Sequence, residues 1–137
     1  MAPAKPPVRV DLNWDRDLVF TATSGERGMT LDSAGVAGPS PVQTLAFALA
    51  GCMAMDVAHI LQKGRHPFTS IHGELTGDRA QEDPHRVTNV TLHFSLTGRV
   101  PNDAVQRAID LSRDKYCSVW HSMRQDIELT VTFEVSQ

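Results

Sequence analysis

The chain has 137 residues, of which 41% are apolar, and this suits one domain with a hydrophobic core. Its net charge of −3 arises from mixed signs without a run of Lys or Arg. This pattern argues against partners held by electrostatics, such as nucleic acid or a charged membrane surface.

The N-terminal segment, Met1 to Pro7, is rich in Pro and Ala and lacks the apolar centre of a secretory signal. We expect a disordered lead-in over 1–7 and a single domain over 8–137. The longest apolar run, Leu45 to Met55, has 11 residues, whereas a membrane span needs roughly 20. A buried helix in a cytoplasmic protein is therefore expected.

Three short strands are predicted before the first helix. Val8, Val10 and Leu12 alternate with polar residues, which indicates a half-buried strand. A second strand is predicted over 18–23 and a third over 29–32, joined by a hairpin loop rich in glycine. The stretch from Ser33 to Pro39 contains two glycines and is predicted as loop.

A long helix is predicted from Ser40 to Lys63. Ser40 and Gln43 form a capping box, Pro41 suits the first helical position, and Gly64 ends the helix. The helix is apolar on every side between residues 45 and 55, so most of its circumference must be covered. We expect a sheet on one side and a second subunit on the other, which predicts a dimer.

Three strands and two short helical segments are predicted in the second half of the chain. Strands are predicted over 71–76, 90–96 and 127–135, with an exposed turn over 81–85. A helix opens at Pro101, and a short helical segment is predicted from Cys117 to Arg124. Because strands and helices are grouped, the predicted class is α+β with largely antiparallel sheet.

Two cysteines, Cys52 and Cys117, are the candidates for chemistry. In a reducing cytosol they are either inert core residues or active thiols, and composition alone favours the inert reading. Gly51 costs about 1 kcal/mol inside a helix, which suggests close approach of a ligand or backbone beside Cys52. Asp56 and His59 share the helical face of Cys52, but their charges act on a thiol in opposite directions.

Cys117 stands in a different setting, in the segment from Asp114 to His121. If a helix begins there, its N-terminus and Lys115 both favour a thiolate. Tyr116 and Trp120 supply apolar walls, and His121 is four residues beyond the cysteine.

Other site types find little support. Cys52, His59, Cys117 and His121 include suitable zinc ligands, but they lack the close spacing of structural zinc sites. Phosphate loops, nucleophile elbows and His-Glu-x-x-His patterns are absent from the sequence. We therefore expect neither a metal nor a cofactor.

Two separated motifs resemble the OsmC/Ohr family. The first comprises Gly38-Pro39-Ser40-Pro41, the run from Leu45 to Cys52, and Asp56-Val57; the second runs from Arg107 to Ser112 and on through Lys115-Tyr116-Cys117-Ser118-Val119. The resemblance extends from about Arg9 to Val135 and is closest to the OsmC-like branch.

The resemblance implies an intertwined homodimer in which antiparallel sheets wrap two central helices. It further implies reduction of organic hydroperoxides, with Cys52 as the peroxidatic thiol and Cys117 as the resolving thiol. A sulfenic acid on Cys52 then condenses with Cys117, and a dithiol reductant, with a lipoylated protein as the candidate, restores both thiols. We place the substrate pocket at Gln43, Gly51, Met53, Tyr116 and Trp120.

The sequence departs from the family at one activating residue. Family peroxidases use a Glu and an Arg to activate the thiolate, but Val42-Gln43 stands where the Glu is expected. Arg16 is our first candidate for the arginine and Arg27 the second. A non-catalytic role in small-molecule binding or redox sensing is therefore the alternative to a peroxidase.

Overall fold

A computed structural model describes residues 4–137. Its strands and helices, in chain order, are β1 (Asp11–Arg16), β2 (Val19–Ser24), β3 (Arg27–Asp32), α1 (Pro41–Lys63), β4 (Phe68–Arg79), β5 (Val87–Gly98), α2 (Asn102–Leu111), a π-helical turn (Ser112–Tyr116), α3 (Ser118–His121) and β6 (Glu128–Ser136). The architecture is α+β, as predicted, and it contains two three-stranded sheets.

The chain divides into two compact units, one ending at Leu45 and the other beginning at Ala46. The first three residues of the predicted lead-in lie outside the described residues, and residues 4–7 form no regular element. The disorder of residues 1–7 and the assignment of 8–137 to one domain stay predictions.

The first unit contains the antiparallel sheet β1-β2-β3. The two residues between β2 and β3 make a tight turn, in which Gly25 adopts a φ of 60° that suits glycine. The prediction of a half-buried first strand is wrong: β1 begins only at Asp11, and all six of its residues are exposed. The reason is its position at the sheet edge, where it pairs with β2 alone.

The loop after β3 is organised by one buried carboxylate. Asp32 is 7% exposed, and its two oxygens accept hydrogen bonds from the backbone N–H groups of Ala34, Val36 and Ala37 at 2.9–3.1 Å. The bonds from Ala37 and Ala34 are the main cause of the lowered pKa of Asp32. The loop therefore depends on an ionised Asp32.

We expect Asp32→Asn to lower the melting temperature by roughly 4 °C or more near neutral pH. An amide has one acceptor oxygen and would turn its NH₂ group toward N–H donors that now face oxygen. The pKa of Asp32 is lowered on folding, so the ionised carboxylate stabilises the folded protein. This stabilisation is complete at pH values above the ordinary Asp pKa of about 3.9 and is lost as the pH falls through the lowered pKa. Thermal melts of both proteins should therefore converge as the pH drops below about 4.

The exposed β1 residue Asp11 offers a matched control. Asp11→Asn should melt like the wild type across the same pH range. A constant difference between the wild type and Asp32→Asn at every pH would contradict the role given to the Asp32 charge.

Helix α1 begins and ends as predicted. Ser40 Oγ accepts from the Gln43 N–H at 3.2 Å, and Gln43 Oε1 accepts from the Ser40 N–H at 2.9 Å, which forms the capping box. Gly64 follows the last helical residue, Lys63. By length and composition alone α1 is long and apolar enough to cross a membrane. The core helix of a soluble protein meets the same criterion.

Within residues 4–137, the fully buried side chains of α1 lie on one side of the helix. Its buried side chains follow a spacing of four residues: Leu49, Met53, Val57 and Leu61. On another face Phe47 is 65% exposed and Met55 is 73% exposed. The apolar circumference predicted from the sequence is thus present, but the chain itself covers one side of it.

The second unit contains the sheet β4-β5-β6. Strands β4 and β5 are antiparallel, whereas β5 and β6 are parallel, with Asn89 opposite Glu128 and Thr97 opposite Ser136. The prediction of antiparallel sheets is wrong for this pair. The physical reason is the long crossover through α2 and α3, which returns the chain to the end of the sheet where β5 begins.

The core of the second unit lies between this sheet and the helices. Inward residues of β5 alternate along the strand and are essentially fully buried: Val90, Leu92, Phe94 and Leu96. Helix α2 adds the apolar face predicted from its spacing, with Val105, Ala108 and Ile109 buried. Cys117 and the buried face of α1 belong to the same cluster.

Candidate functional site

Cys52 lies near the middle of α1, beside the buried row of that helix. It is half-buried and packs against the core cluster. Its sulfur lies 4.0 Å from Ser118 Oγ, at the first residue of α3. A thiol at this position is held by the core on one side and remains reachable from the other.

Cys117 stands at the N-cap of α3 and is completely buried. Its sulfur accepts a hydrogen bond from the Trp120 N–H at 3.3 Å, and its own N–H donates to the Ser112 carbonyl at 2.8 Å. The prediction of a helix over 117–124 is wrong in its bounds. Cys117 is extended, with φ −71° and ψ 99°, and α3 covers only Ser118–His121.

The structure brings the two sulfurs together across 65 positions of sequence. Cys52 Sγ and Cys117 Sγ lie within 4.8 Å of one another, and a carboxylate oxygen of Asp56 lies within the same distance of both. A disulfide needs the sulfurs at about 2.05 Å. The two sulfurs must therefore move closer together before the bond can form.

Asp56 is fixed by Ser112. The Ser112 hydroxyl donates to Asp56 Oδ2 at 2.8 Å, and Ser112 is fully buried. Sequence reasoning missed this partner. The available signal was spacing, because Ser112 falls at the i+7 position of the apolar face that begins with Val105, where a polar residue is necessarily buried and needs a partner.

Burial raises the pKa of the Cys117 thiol to about 11. The Trp120 N–H works in the opposite direction, and the neighbouring Cys52 and the charge of Asp56 raise the pKa further. The expectation that a helix N-terminus and Lys115 make Cys117 a thiolate is therefore wrong. Removal of the Cys117 thiol from water raises its pKa more than the hydrogen bond from the Trp120 N–H lowers it. The Lys115 ammonium lies over the Tyr116 ring, 5.2 Å from the ring centroid.

An open cavity of about 540 Å³ adjoins the site. Its lining residues come from α1, α2 and the π-helical turn: Asp56, His59, Ile60, Lys63, Gly64, Arg107, Leu111 and Tyr116. Asp56 thus faces both the two sulfurs and this cavity. The cavity is mixed in character, with three cationic or titratable nitrogen side chains beside apolar ones.

Of the five predicted pocket residues, only Tyr116 lines this cavity. Met53 has no exposed surface and Trp120 is 6% exposed, and both belong to the core cluster. Gln43 is engaged in the α1 cap. A Cβ on Gly51 would have no atom within 4 Å, so the close approach expected there is not made by the described residues of this chain.

The two candidate arginines, Arg16 and Arg27, both belong to the first unit. Arg16 is exposed and pairs with its neighbour Asp15, and Arg27 is the exposed first residue of β3. An activating role for either arginine stays a prediction. Of the histidines, His59 lines the cavity beside Asp56, whereas His121 lies in a different surface depression with Trp120.

Comparisons with known proteins cover nearly the whole chain. The profile of a family described as OsmC-like protein matches residues 32–132. Protein YhfA of Escherichia coli K12 is 39% identical over 127 residues, which cover 90% of this chain and 95% of YhfA.

Solved structures agree with this match. A hypothetical protein from Aquifex aeolicus VF5 has a TM-score of 0.89 at 25% identity, covering 97% of this chain and 99% of that one. An organic hydroperoxide resistance protein OsmC from Legionella pneumophila shares the fold with a TM-score of 0.73 at 13% identity, covering 97% and 100%.

Proposed function

Because the chain belongs to the OsmC-like family, whose membership suggests peroxide-related redox chemistry, we propose that it is a thiol-dependent peroxidase of organic hydroperoxides. One observation carries the proposal: Cys52 Sγ and Cys117 Sγ lie within 4.8 Å of one another. A solved relative by fold is described as an organic hydroperoxide resistance protein, which supports the substrate class.

Exposure divides the roles of the two thiols. Cys52 is half-buried and Cys117 is completely buried, so a peroxide reaches Cys52 first. The Cys52 thiolate attacks the O–O bond, becomes a sulfenic acid, and the leaving alkoxide takes a proton to form an alcohol. The Cys117 thiol then displaces water from the sulfenic acid and forms the Cys52–Cys117 disulfide.

An external dithiol closes the cycle. It attacks the disulfide, passes through a mixed disulfide, and leaves as its own disulfide while both cysteines return to thiols. A lipoylated protein is the proposed donor. The cytoplasm is the proposed compartment, because both cysteines are free thiols and thiols are kept reduced there. Steady-state consumption of cumene hydroperoxide with dihydrolipoamide tests the proposal, and saturable turnover is the expected result.

A redox-sensing or binding role is the second candidate, and Gln43 is the observation that favours it. The neutral Gln43 side chain closes the α1 cap and offers no carboxylate to an activating arginine. A redox sensor would be oxidised by peroxide to the disulfide but would complete repeated catalytic cycles only slowly. Repeated turnover with excess dithiol separates the two functions.

The dimer is part of the same proposal. Phe47, Gly51 and Met55 are spaced by four residues and so share one face of α1, where two large apolar side chains are mostly exposed. Gly51 leaves open space between them. A second copy of the chain, laid against this face, would remove that apolar surface from water.

We expect Met55→Glu to convert a wild-type dimer into a monomer, because a carboxylate buried in an apolar interface costs several kcal/mol. Sedimentation velocity measures the change, and circular dichroism checks that each variant is folded. Asn102→Asp is the matched control, since Asn102 is an exposed polar residue at the start of α2 and the substitution adds the same charge. A monomeric wild type, or a Met55→Glu protein that remains dimeric, would contradict the interface.

A further inference from the structure

The reduced thiol pair has a second chemical capacity that does not involve oxidation. Cys52 Sγ, Cys117 Sγ and a carboxylate oxygen of Asp56 form a triangle with every side within 4.8 Å. Over residues 4–137, this is the one set of three His, Cys, Asp or Glu ligand atoms that approach so closely. The zinc set that the sequence analysis set aside included His59 and His121, but the third residue of this triangle is Asp56.

One residue positions two of the three ligands. The Ser112 hydroxyl holds Asp56 Oδ2 at 2.8 Å, and the Ser112 carbonyl holds the Cys117 N–H at 2.8 Å. The first bond leaves Asp56 Oδ1 available to a cation. Hydrogen bonds of this kind orient metal ligands in proteins and commonly contribute 10- to 100-fold, roughly, to metal affinity.

The donor set selects a thiophilic cation. Two thiolates and one carboxylate suit Zn²⁺, whereas Mg²⁺ and Ca²⁺ prefer oxygen donors alone. Around a tetrahedral Zn²⁺ with Zn–S bonds of 2.3 Å, neighbouring sulfurs lie about 3.8 Å apart. Ligand atoms already within 4.8 Å reach that spacing through small side-chain rotations.

The surroundings allow entry and balance the charge. Asp56 lines the open cavity of about 540 Å³, which gives a path from solvent. Three anionic ligands with Zn²⁺ leave one negative charge. Lys63 and Arg107 line the same cavity, and within the described chain neither has a carboxylate within 4.0 Å.

We propose that the reduced chain binds one Zn²⁺ through Cys52, Asp56 and Cys117, with a fourth position open to an exchangeable ligand. Binding releases the two thiol protons and leaves the oxidation state of sulfur unchanged. The bound ion and the Cys52–Cys117 disulfide exclude each other, so Zn²⁺ protects the thiols and oxidation releases Zn²⁺. Only this competition rests on the proposed peroxidase; the metal site does not.

Cobalt substitution tests the ligand set directly. Untagged, reduced protein is titrated with Co²⁺ under anaerobic conditions, and Zn²⁺ is then added to displace it. We expect one Co²⁺ per chain, with a thiolate-to-cobalt charge-transfer band and the strong visible bands of tetrahedral Co²⁺. Either Cys52→Ser or Cys117→Ser should weaken the charge-transfer band and the binding.

Asp56→Asn and His59→Asn form the matched pair, because both side chains line the same cavity. Asp56→Asn should weaken Zn²⁺ binding by at least about tenfold, and Ser112→Ala should weaken it by a similar factor, whereas His59→Asn should not. A missing thiolate band in the wild type, unchanged binding in Asp56→Asn, or binding that requires His59 or His121 would overturn the site. Peroxide turnover without Zn²⁺ binding sinks only the metal site, and the reverse result sinks only the peroxidase.

Discussion

The Cys52→Ser variant is expected to consume organic hydroperoxide no faster than buffer containing the same dithiol. Cys52 is the half-buried member of the pair, and a serine hydroxyl is not ionised at neutral pH and does not form a sulfenic acid. The fully buried Cys117 cannot take over, because burial raises the pKa of its thiol to about 11. Loss of peroxide in a coupled dithiol assay measures the effect.

The Cys117→Ser variant separates attack from resolution. It should consume one equivalent of peroxide per chain in the absence of dithiol and then stop, with a sulfenic acid on Cys52 that dimedone traps. The surface substitution Thr91→Ala, on the exposed side of β5, serves as the control and should turn over like the wild type. Full activity in Cys52→Ser would refute the assignment of the nucleophile.

The largest expected effect on stability belongs to Phe94→Ala. Phe94 has no exposed surface and lies on β5, the central strand of its sheet, between Gly73 of β4 and Phe133 of β6. Its ring fills the space above Gly73, where an added Cβ would lie 3.3 Å from Phe94 Cε1. Truncation leaves a cavity that neighbouring glycine cannot fill, and the expected loss is about 3–5 kcal/mol of unfolding free energy.

Urea denaturation followed by far-ultraviolet circular dichroism measures this loss. Thr91→Ala again provides the control, because Thr91 lies on the same strand but is exposed; it should change the unfolding free energy by about 0.5 kcal/mol or less. A Phe94→Ala protein that unfolds at the wild-type midpoint would show that the core of the second unit is not centred on β5.

Local patterns predicted the elements well where short-range physics determines them. The capping box of Ser40 and Gln43 placed the start of α1, and the buried face of α2 followed the spacing of Val105, Ala108 and Ile109. Each depends on residues within two helical turns of one another. The partners are therefore all visible in a short stretch of sequence.

Features that depend on distant partners were not predictable in the same way. The parallel pairing of β6 with β5 depends on where the crossover returns the chain, which alternation within a strand does not record. The assignment of Asp56 to the Ser112 hydroxyl joins positions 56 residues apart. The raised pKa of Cys117 likewise reflects complete burial, which reversed the effect expected from a nearby helix N-terminus.

The candidate site was foreseen in its cysteines but not in its surroundings. Motif resemblance identified Cys52 and Cys117, and the structure brings their sulfurs within 4.8 Å. Met53 directly follows Cys52 in the sequence and was expected in the substrate pocket, and the structure places it in the core of the second unit with no exposed surface. Adjacency in sequence does not specify which side of a helix faces a cavity.

Counting free thiols before and after one equivalent of cumene hydroperoxide tests the redox pair most directly. The fully reduced protein, without added dithiol, is expected to lose both thiols per chain, and peptide mapping under non-reducing conditions should find Cys52 joined to Cys117 of the same chain. Loss of a single thiol, a bond between chains only, or two thiols that survive the peroxide would contradict the proposed cycle.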